Sequence, residues 1–277
     1  DALRLDAVQG IIDTSAVHFL EQLSGEVGKL RAQLGRNLSL IAESNLNDPR
    51  IIEPCEAGGY GMDAQWSDDL HHALHTVLTG ESNGYYEDFG TLSDLAQALQ
   101  EIFVYNGRYS AFRGRRHGRP VRNVSGHKFL AYLQNHDQIG NRALGERASH
   151  LMNASRVMIG SAIVFTSVCI PLIFQGEEWA ASSPFQYFTD HQDQELARAV
   201  AAGRKNEFAA FGWAPQDIPD PQDAATFERS RLDWSEVGNH PHASIHAWYK
   251  SLTRLRRELP ELKDGDPGKV LISHNDE

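Results

Sequence analysis

Three carboxylates, Asp6, Glu43 and Asp137, each follow a short apolar run. Hydrolysis of a glycoside needs two carboxyl groups flanking the scissile bond. One attacks or stabilises the anomeric carbon, and the other stays protonated until it delivers a proton to the leaving oxygen. A single carboxylate after a strand is more often a helix cap or a solvated loop residue. The weight therefore rests on three of them occurring at strand ends, on separate strands.

The elements that must position these residues are legible in the spacing of apolar side chains. Residues 3–8 and 38–42 read as strands. Between them, Val17, Phe19, Leu20, Leu23, Val27, Leu30 and Leu34 recur at helical intervals over residues 15–34, with Gly35 placed to close the helix. Strand, helix, strand is the signature of a parallel sheet. The pattern continues with a short strand over 63–66, helices over 68–78 and 92–102, and a strand over 128–133. A helix over 149–168, a strand over 172–174 and an amphipathic helix over 243–259 complete it. About five strand-then-helix units follow one another, which predicts an α/β fold, a partial TIM (β/α) barrel holding about the last five of its eight units. Active sites of such sheets collect at the C-terminal ends of the strands, where Asp6, Glu43, Asp137 and Glu177 fall. Residues 1–260 are expected to belong to the catalytic barrel. Residues 261–277 are expected to begin a β domain, with 269–277 as an interrupted strand, and both termini read as cut within elements.

Composition narrows the partners. The 277 residues carry 26 lysines and arginines against 37 aspartates and glutamates, a net charge of −11. Such a chain repels nucleic acid and anionic membranes, and a neutral, hydroxyl-rich substrate suits it better. The uncharged stretch 157–174 is long enough to span a bilayer. Gly160, Ser161, Thr166, Ser167 and Pro171 instead divide it into a buried helix and a buried strand. Cys55 and Cys169 are expected to be buried reduced thiols. His71 and His75 stand four apart, a metal-ligand spacing, but without a third ligand nearby they read as packing residues. The basic run 108–122 reads as a solvated loop or as a loop lining a polar cleft, and 213–233 as a long surface loop. Three glycosylation sequons, beginning at Asn37, Asn123 and Asn153, read as chance.

Leu3-Arg-Leu-Asp-Ala-Val8 resembles the nucleophile strand of the α-amylase clan, Ala42-Glu-Ser-Asn45 its acid/base region, and Asn135-His-Asp137 its third carboxylate region. Longer stretches are similar to the maltooligosyltrehalose trehalohydrolase family: Ala42 to Arg50, Gly61 to His75, Gln134 to Arg142 and Gly176 to Asp190. The resemblance covers essentially the whole chain. It implies a retaining hydrolase that releases trehalose by cleaving the α-1,4 bond next to the trehalose end of maltooligosyltrehalose. A glucan branching enzyme or glucanotransferase of the same clan, or an inactive glucan-binding fragment, is the alternative.

The resemblance implies Asp6 as nucleophile, Glu43 as acid/base and Asp137 as the group that grips sugar hydroxyls and favours ring distortion. Arg4 would orient Asp6 and hold it ionised, and His136 would donate to sugar hydroxyls. Asp63, Asn135 and Gln138 join the expected substrate-binding set. Trp66, Phe185 and Tyr187 could offer aromatic faces to a glucose unit. One of Glu177 and Glu178 could line the cleft; otherwise they are salt-bridging or capping residues. Two positions depart from the family pattern. Gln9 stands where a histidine is expected and Asn45 where an acidic residue is expected, and both bear on substrate contacts or on the pKa of Glu43. No metal and no cofactor are expected, and the family implies a cytoplasmic protein.

Overall fold

Five short parallel strands carry the architecture in the computed structural model, which describes residues 1–209 and 214–275. The strands are β1 (Ala2–Leu5), β2 (Ser39–Ala42), β3 (Ala64–Trp66), β6 (Phe129–Ala131) and β7 (Ile170–Pro171). They lie side by side in the order β1-β2-β3-β6-β7. Every neighbouring pair is parallel: Arg4 is opposite Ile41, Ala42 opposite Gln65, Trp66 opposite Leu130 and Leu130 opposite Ile170. Strands buried on both faces need apolar side chains on both. Accordingly Leu40, Ala42, Ala64, Trp66, Phe129 and Ala131 are all buried.

The helices between the strands are α1 (Phe19–Leu34), α2 (Asp68–Thr79), α3 (Leu92–Glu101), α4 (His136–Gly140), α5 (Ala148–Leu151) and α6 (Ala154–Thr166). After β7 come α7 (Gln194–Ala209), α8 (Ala224–Arg229) and α9 (His242–Glu258). Their ends obey local chemistry. The His18 ring accepts from the Leu20 N–H at the start of α1, and Gly35 closes the helix in the left-handed region at φ 60°. Thr91 and Asp94 form a reciprocal capping box on α3. The chain divides into two compact units. The first comprises Asp1–Ala131, Ile163–Leu172 and Leu255–Glu277, and the second Tyr132–Ala162 and Ile173–Arg254. The whole parallel sheet lies in the first unit.

Several expectations change. The strand expected over 172–174 is not formed; pairing stops at Pro171, and the chain turns at Gly176. The helix expected over 149–168 is two helices, α5 and α6. The basic run 108–122 is ordered: β4 (Asn106–Ser110) and β5 (Arg115–Gly118) form an antiparallel hairpin. Its side chains carry no apolar alternation, so periodicity could not announce it. Residues 213–233 contain α8, while Trp213 lies outside the described residues. Residues 270–275 have no regular structure where a strand was expected, because no strand pairs with them; residues 276 and 277 lie outside the described residues. Cys169 is buried and free, its thiol pushed up to about 12 by burial, whereas Cys55 is free and only half-buried. Among the described residues no helix is long and apolar enough to cross a membrane.

Candidate active site

Asp6 is the first residue beyond β1, and Glu43 the first beyond β2. The two strand ends are tied together: the Glu43 N–H donates to the Leu5 carbonyl at 2.9 Å, and the Val8 N–H to the Glu43 carbonyl at 3.0 Å. Between these bonds Ala7 takes a left-handed conformation at φ 42°. That turn aims the Ala7 N–H at the Glu43 carboxyl, where it donates to Oε2 at 2.6 Å. Left-handed backbone at a residue with a Cβ is costly, and such positions concentrate at functional sites.

Arg4 serves both acids. One guanidinium nitrogen is 2.9 Å from Asp6 Oδ1 and the other 3.4 Å from Glu43 Oε2. The guanidinium carbon lies 4.4 Å from the centre of the Trp66 ring, a cation–π contact that fixes its height above the sheet. Trp66 is itself buried, so its ring supports Arg4. The two acids differ in exposure: the Asp6 side chain is 74% exposed and that of Glu43 16%. Burial pushes the Glu43 carboxyl up to about 7. The Ala7 N–H and Arg4 oppose burial, while the Asp6 side chain, hydrogen-bonded to it, and the charge of Asp68 act in the same direction as burial. An acid poised near neutrality beside an exposed carboxylate can divide the work of proton delivery and nucleophilic attack.

Asp137 belongs to the second unit and lies on α4. Asn135 caps this helix: its Oδ1 accepts from the Asp137 N–H at 2.8 Å, and the Asn135 N–H donates to Gln138 Oε1 at 3.0 Å. Asn135 and Gln138 thus fix the backbone that carries His136 and Asp137. The His136 Nε2 is 3.4 Å from Asp137 Oδ1, and both side chains are half-exposed. Phe185 packs edge-on against Phe174 at 5.0 Å, while Tyr187 is exposed beneath the Arg204 guanidinium at 4.7 Å.

Asp63 falls elsewhere. It precedes β3, at the opposite strand end from Trp66. Its Oδ2 accepts from the Leu40 N–H and from Arg31, each at 2.8 Å. That carboxylate ties the start of β3 to β2 and α1. Sequence reasoning missed three contributors to the site. The Ala7 N–H has no residue-type signal. Asp68, at the start of α2, is masked by the general preference for acids in a first helical turn. The third is His117 of β5, whose Nε2 lies 2.7 Å from the Asn45 carbonyl. With the Arg119 N–H on the Asn47 carbonyl at 2.9 Å, it docks the hairpin on the segment after Glu43. A lone histidine in a basic run was the only available hint. His71 and His75 do pack, against Tyr86 and Glu81. No cluster of histidine, cysteine or acidic residues fit to hold a metal occurs among the described residues.

No family model matches the sequence. The chain is 48% identical over its whole length to the malto-oligosyltrehalose trehalohydrolase of Mycobacterium tuberculosis, covering 48% of that protein. It is 49% identical over 94% of its length to that of Arthrobacter ramosus, covering 45% of it. A crystal structure from Salmonella typhimurium, assigned as an alpha amylase, superposes on 99% of the chain with a TM-score of 0.89 at 34% identity, using 47% of that chain. Parallel strands alternating with helices, with acids on successive strand ends, define the chain as part of an α-amylase-type (β/α) barrel. Within that class it is similar over its whole length to malto-oligosyltrehalose trehalohydrolases, and it spans about half the length of the curated relatives it matches.

Proposed function

We propose that these residues form part of a retaining glycoside hydrolase that releases trehalose from maltooligosyltrehalose. The observation that carries this reading is the Asp6–Glu43 pair, joined through Arg4 at neighbouring strand ends, with Glu43 held near neutrality. The names of the relatives supply the substrate class.

In the proposed reaction the Asp6 carboxylate attacks the anomeric carbon of the glucose unit bonded to the trehalose end. The α-1,4 bond breaks, and Glu43 gives its proton to the departing oxygen, so trehalose leaves and the glucan remains esterified to Asp6. Glu43, now ionised, takes a proton from water, which hydrolyses the ester. Asp137 binds sugar hydroxyls with His136, while Asn135 and Gln138 keep their helix start in place. Phe185 and Tyr187 are the candidate aromatic contacts. Asp63 is left out, being committed to Arg31 and Leu40. Residues 1–260 belong on this reading to the catalytic barrel and 261–277 to the start of the next domain. The substrate is a neutral cytoplasmic glucan, and the chemistry draws on no cofactor.

The test is trehalose release from maltotriosyltrehalose by the complete natural polypeptide containing these residues, with and without Asp6→Asn. Losing the nucleophile should cost on the order of 10⁴-fold or more in kcat. Absence of trehalose from the folded wild type, or a fully active Asp6→Asn, rejects the reading.

A further inference from the structure

The turn after β7 holds a buried acid that the proposed chemistry leaves unused. Glu177 is 4% exposed. Its Oε1 accepts from the Tyr249 hydroxyl of α9 at 2.8 Å, and its Oε2 from the Phe174 N–H at 3.4 Å. Its third partner is the Gln134 side chain. Gln134 Oε1 accepts from the Ala148 N–H at 2.8 Å, which leaves the amide nitrogen to donate to Glu177. Gln134 directly precedes Asn135, the cap that accepts from the Asp137 N–H. Tyr249, Glu177 and Gln134 are all buried and all lie in the second unit. The chain of contacts therefore runs from α9 to the backbone that sets Asp137.

We propose that Glu177 is a positioning residue for Asp137: clamped by Tyr249, its carboxyl holds Gln134 and, through it, the turn carrying Asn135, His136 and Asp137. The inference rests on the reading of Asp137 as a carboxylate of the reaction. An apolar side chain would fill the same space without the cost of burying an acid. What it could not do is accept from three donors on three different segments. Burial pushes Glu177 up to about 8, so it is neutral below that pH. The charged and titratable groups around it are Glu178 on its own turn, Tyr249 on α9 and Arg147 at the start of α5. Arg147 is committed to the Gln175 and Ser183 carbonyls at 2.7 Å each. The three donors favour the ionised carboxyl, against burial and the charge of Glu178, so the clamp stays closed as pH rises through 8.

The experiment measures kcat and KM for trehalose release from maltotriosyltrehalose by the complete natural polypeptide, as wild type, Glu177→Gln and Glu177→Leu. Glu177→Gln keeps an acceptor for Tyr249 and should hold kcat within about threefold, whereas Glu177→Leu should lose roughly tenfold or more in kcat with KM little changed. A folded Glu177→Leu with wild-type kcat overturns the proposal, as does a Glu177→Gln that loses as much as Glu177→Leu. Wild type that releases no trehalose rejects the functional reading separately. Amide exchange over residues 134–141 reads the clamp directly. Protection there should weaken in Glu177→Leu and not in Glu177→Gln, and a Glu177→Leu profile that matches the wild type refutes the clamp.

Discussion

At the scale of single residues, the site works by competition over Glu43. Burial withholds water from its carboxyl and raises it, while the Ala7 N–H and the Arg4 charge favour the ionised form. In the proposed reaction the protonated form is the active acid, so trehalose release should decline as pH rises through about 7. Removing Arg4 shifts this balance in a defined direction. Arg4→Met takes away a positive charge that favours ionised Glu43, so the alkaline limb should move to higher pH. The same substitution strips Asp6 of its ion pair with the Arg4 guanidinium, 2.9 Å away. We expect kcat to fall by about 10²-fold or more, the loss typical of removing a preorganised charge from an active site. Rate profiles against pH for both proteins check the two effects together. An Arg4→Met limb displaced to lower pH would show that Arg4 does not act on Glu43 as described.

At the scale of elements, what the strands do at their two ends separates chemistry from scaffolding. Asp6 and Glu43 extend beyond C-terminal ends, while Asp63 stands at an N-terminal end and bonds the Leu40 N–H and Arg31. Asp63→Ala should therefore lower stability by about 1.5–3 kcal/mol, the range for charge-assisted hydrogen bonds, and leave KM for maltotriosyltrehalose unchanged. Denaturant unfolding and steady-state kinetics measure the two; a raised KM with intact stability would restore Asp63 to the substrate. The sequence motif placed Asp63 correctly beside β3 but could not say which end of the strand it occupied. The parallel sheet was readable because buried strands such as residues 39–42 are continuous apolar runs bounded by polar turns. The β4–β5 hairpin was not, because Arg108, Arg115 and Arg116 are strand residues held by backbone pairing and by Asp88, not by an apolar face. Asp88 accepts from the Tyr105 hydroxyl at 2.6 Å and the Ala111 N–H at 2.9 Å. Glu43 and Asp6 could be picked from type and position alone. The backbone donor at Ala7 and the Tyr249–Glu177–Gln134 chain join residues distant in sequence, and no local pattern encodes them.

At the scale of the whole molecule, the sheet has two strands with a neighbour on one side only, β1 and β7. After β1, the helix α1 keeps the apolar periodicity that predicted it, yet Leu20 is its only buried residue. Phe19, Leu30 and Leu34 of α1, Leu3 of β1 and Ile12, which is 92% exposed, remain open to solvent. An unpaired strand edge invites association through backbone pairing, and an exposed apolar helix face through hydrophobic contact. The net charge of −11 opposes association at long range, but charge repulsion is screened beyond about 8 Å at physiological salt. The 277-residue chain taken alone should therefore self-associate as protein and salt concentrations rise. Replacing Ile12 and Leu30 with Lys and Glu should reverse this without lowering the melting midpoint, since neither side chain is buried. Light scattering across a concentration and salt series makes the comparison. A wild-type chain that stays monomeric in high salt would show that α1 and β1 already lie covered in solution.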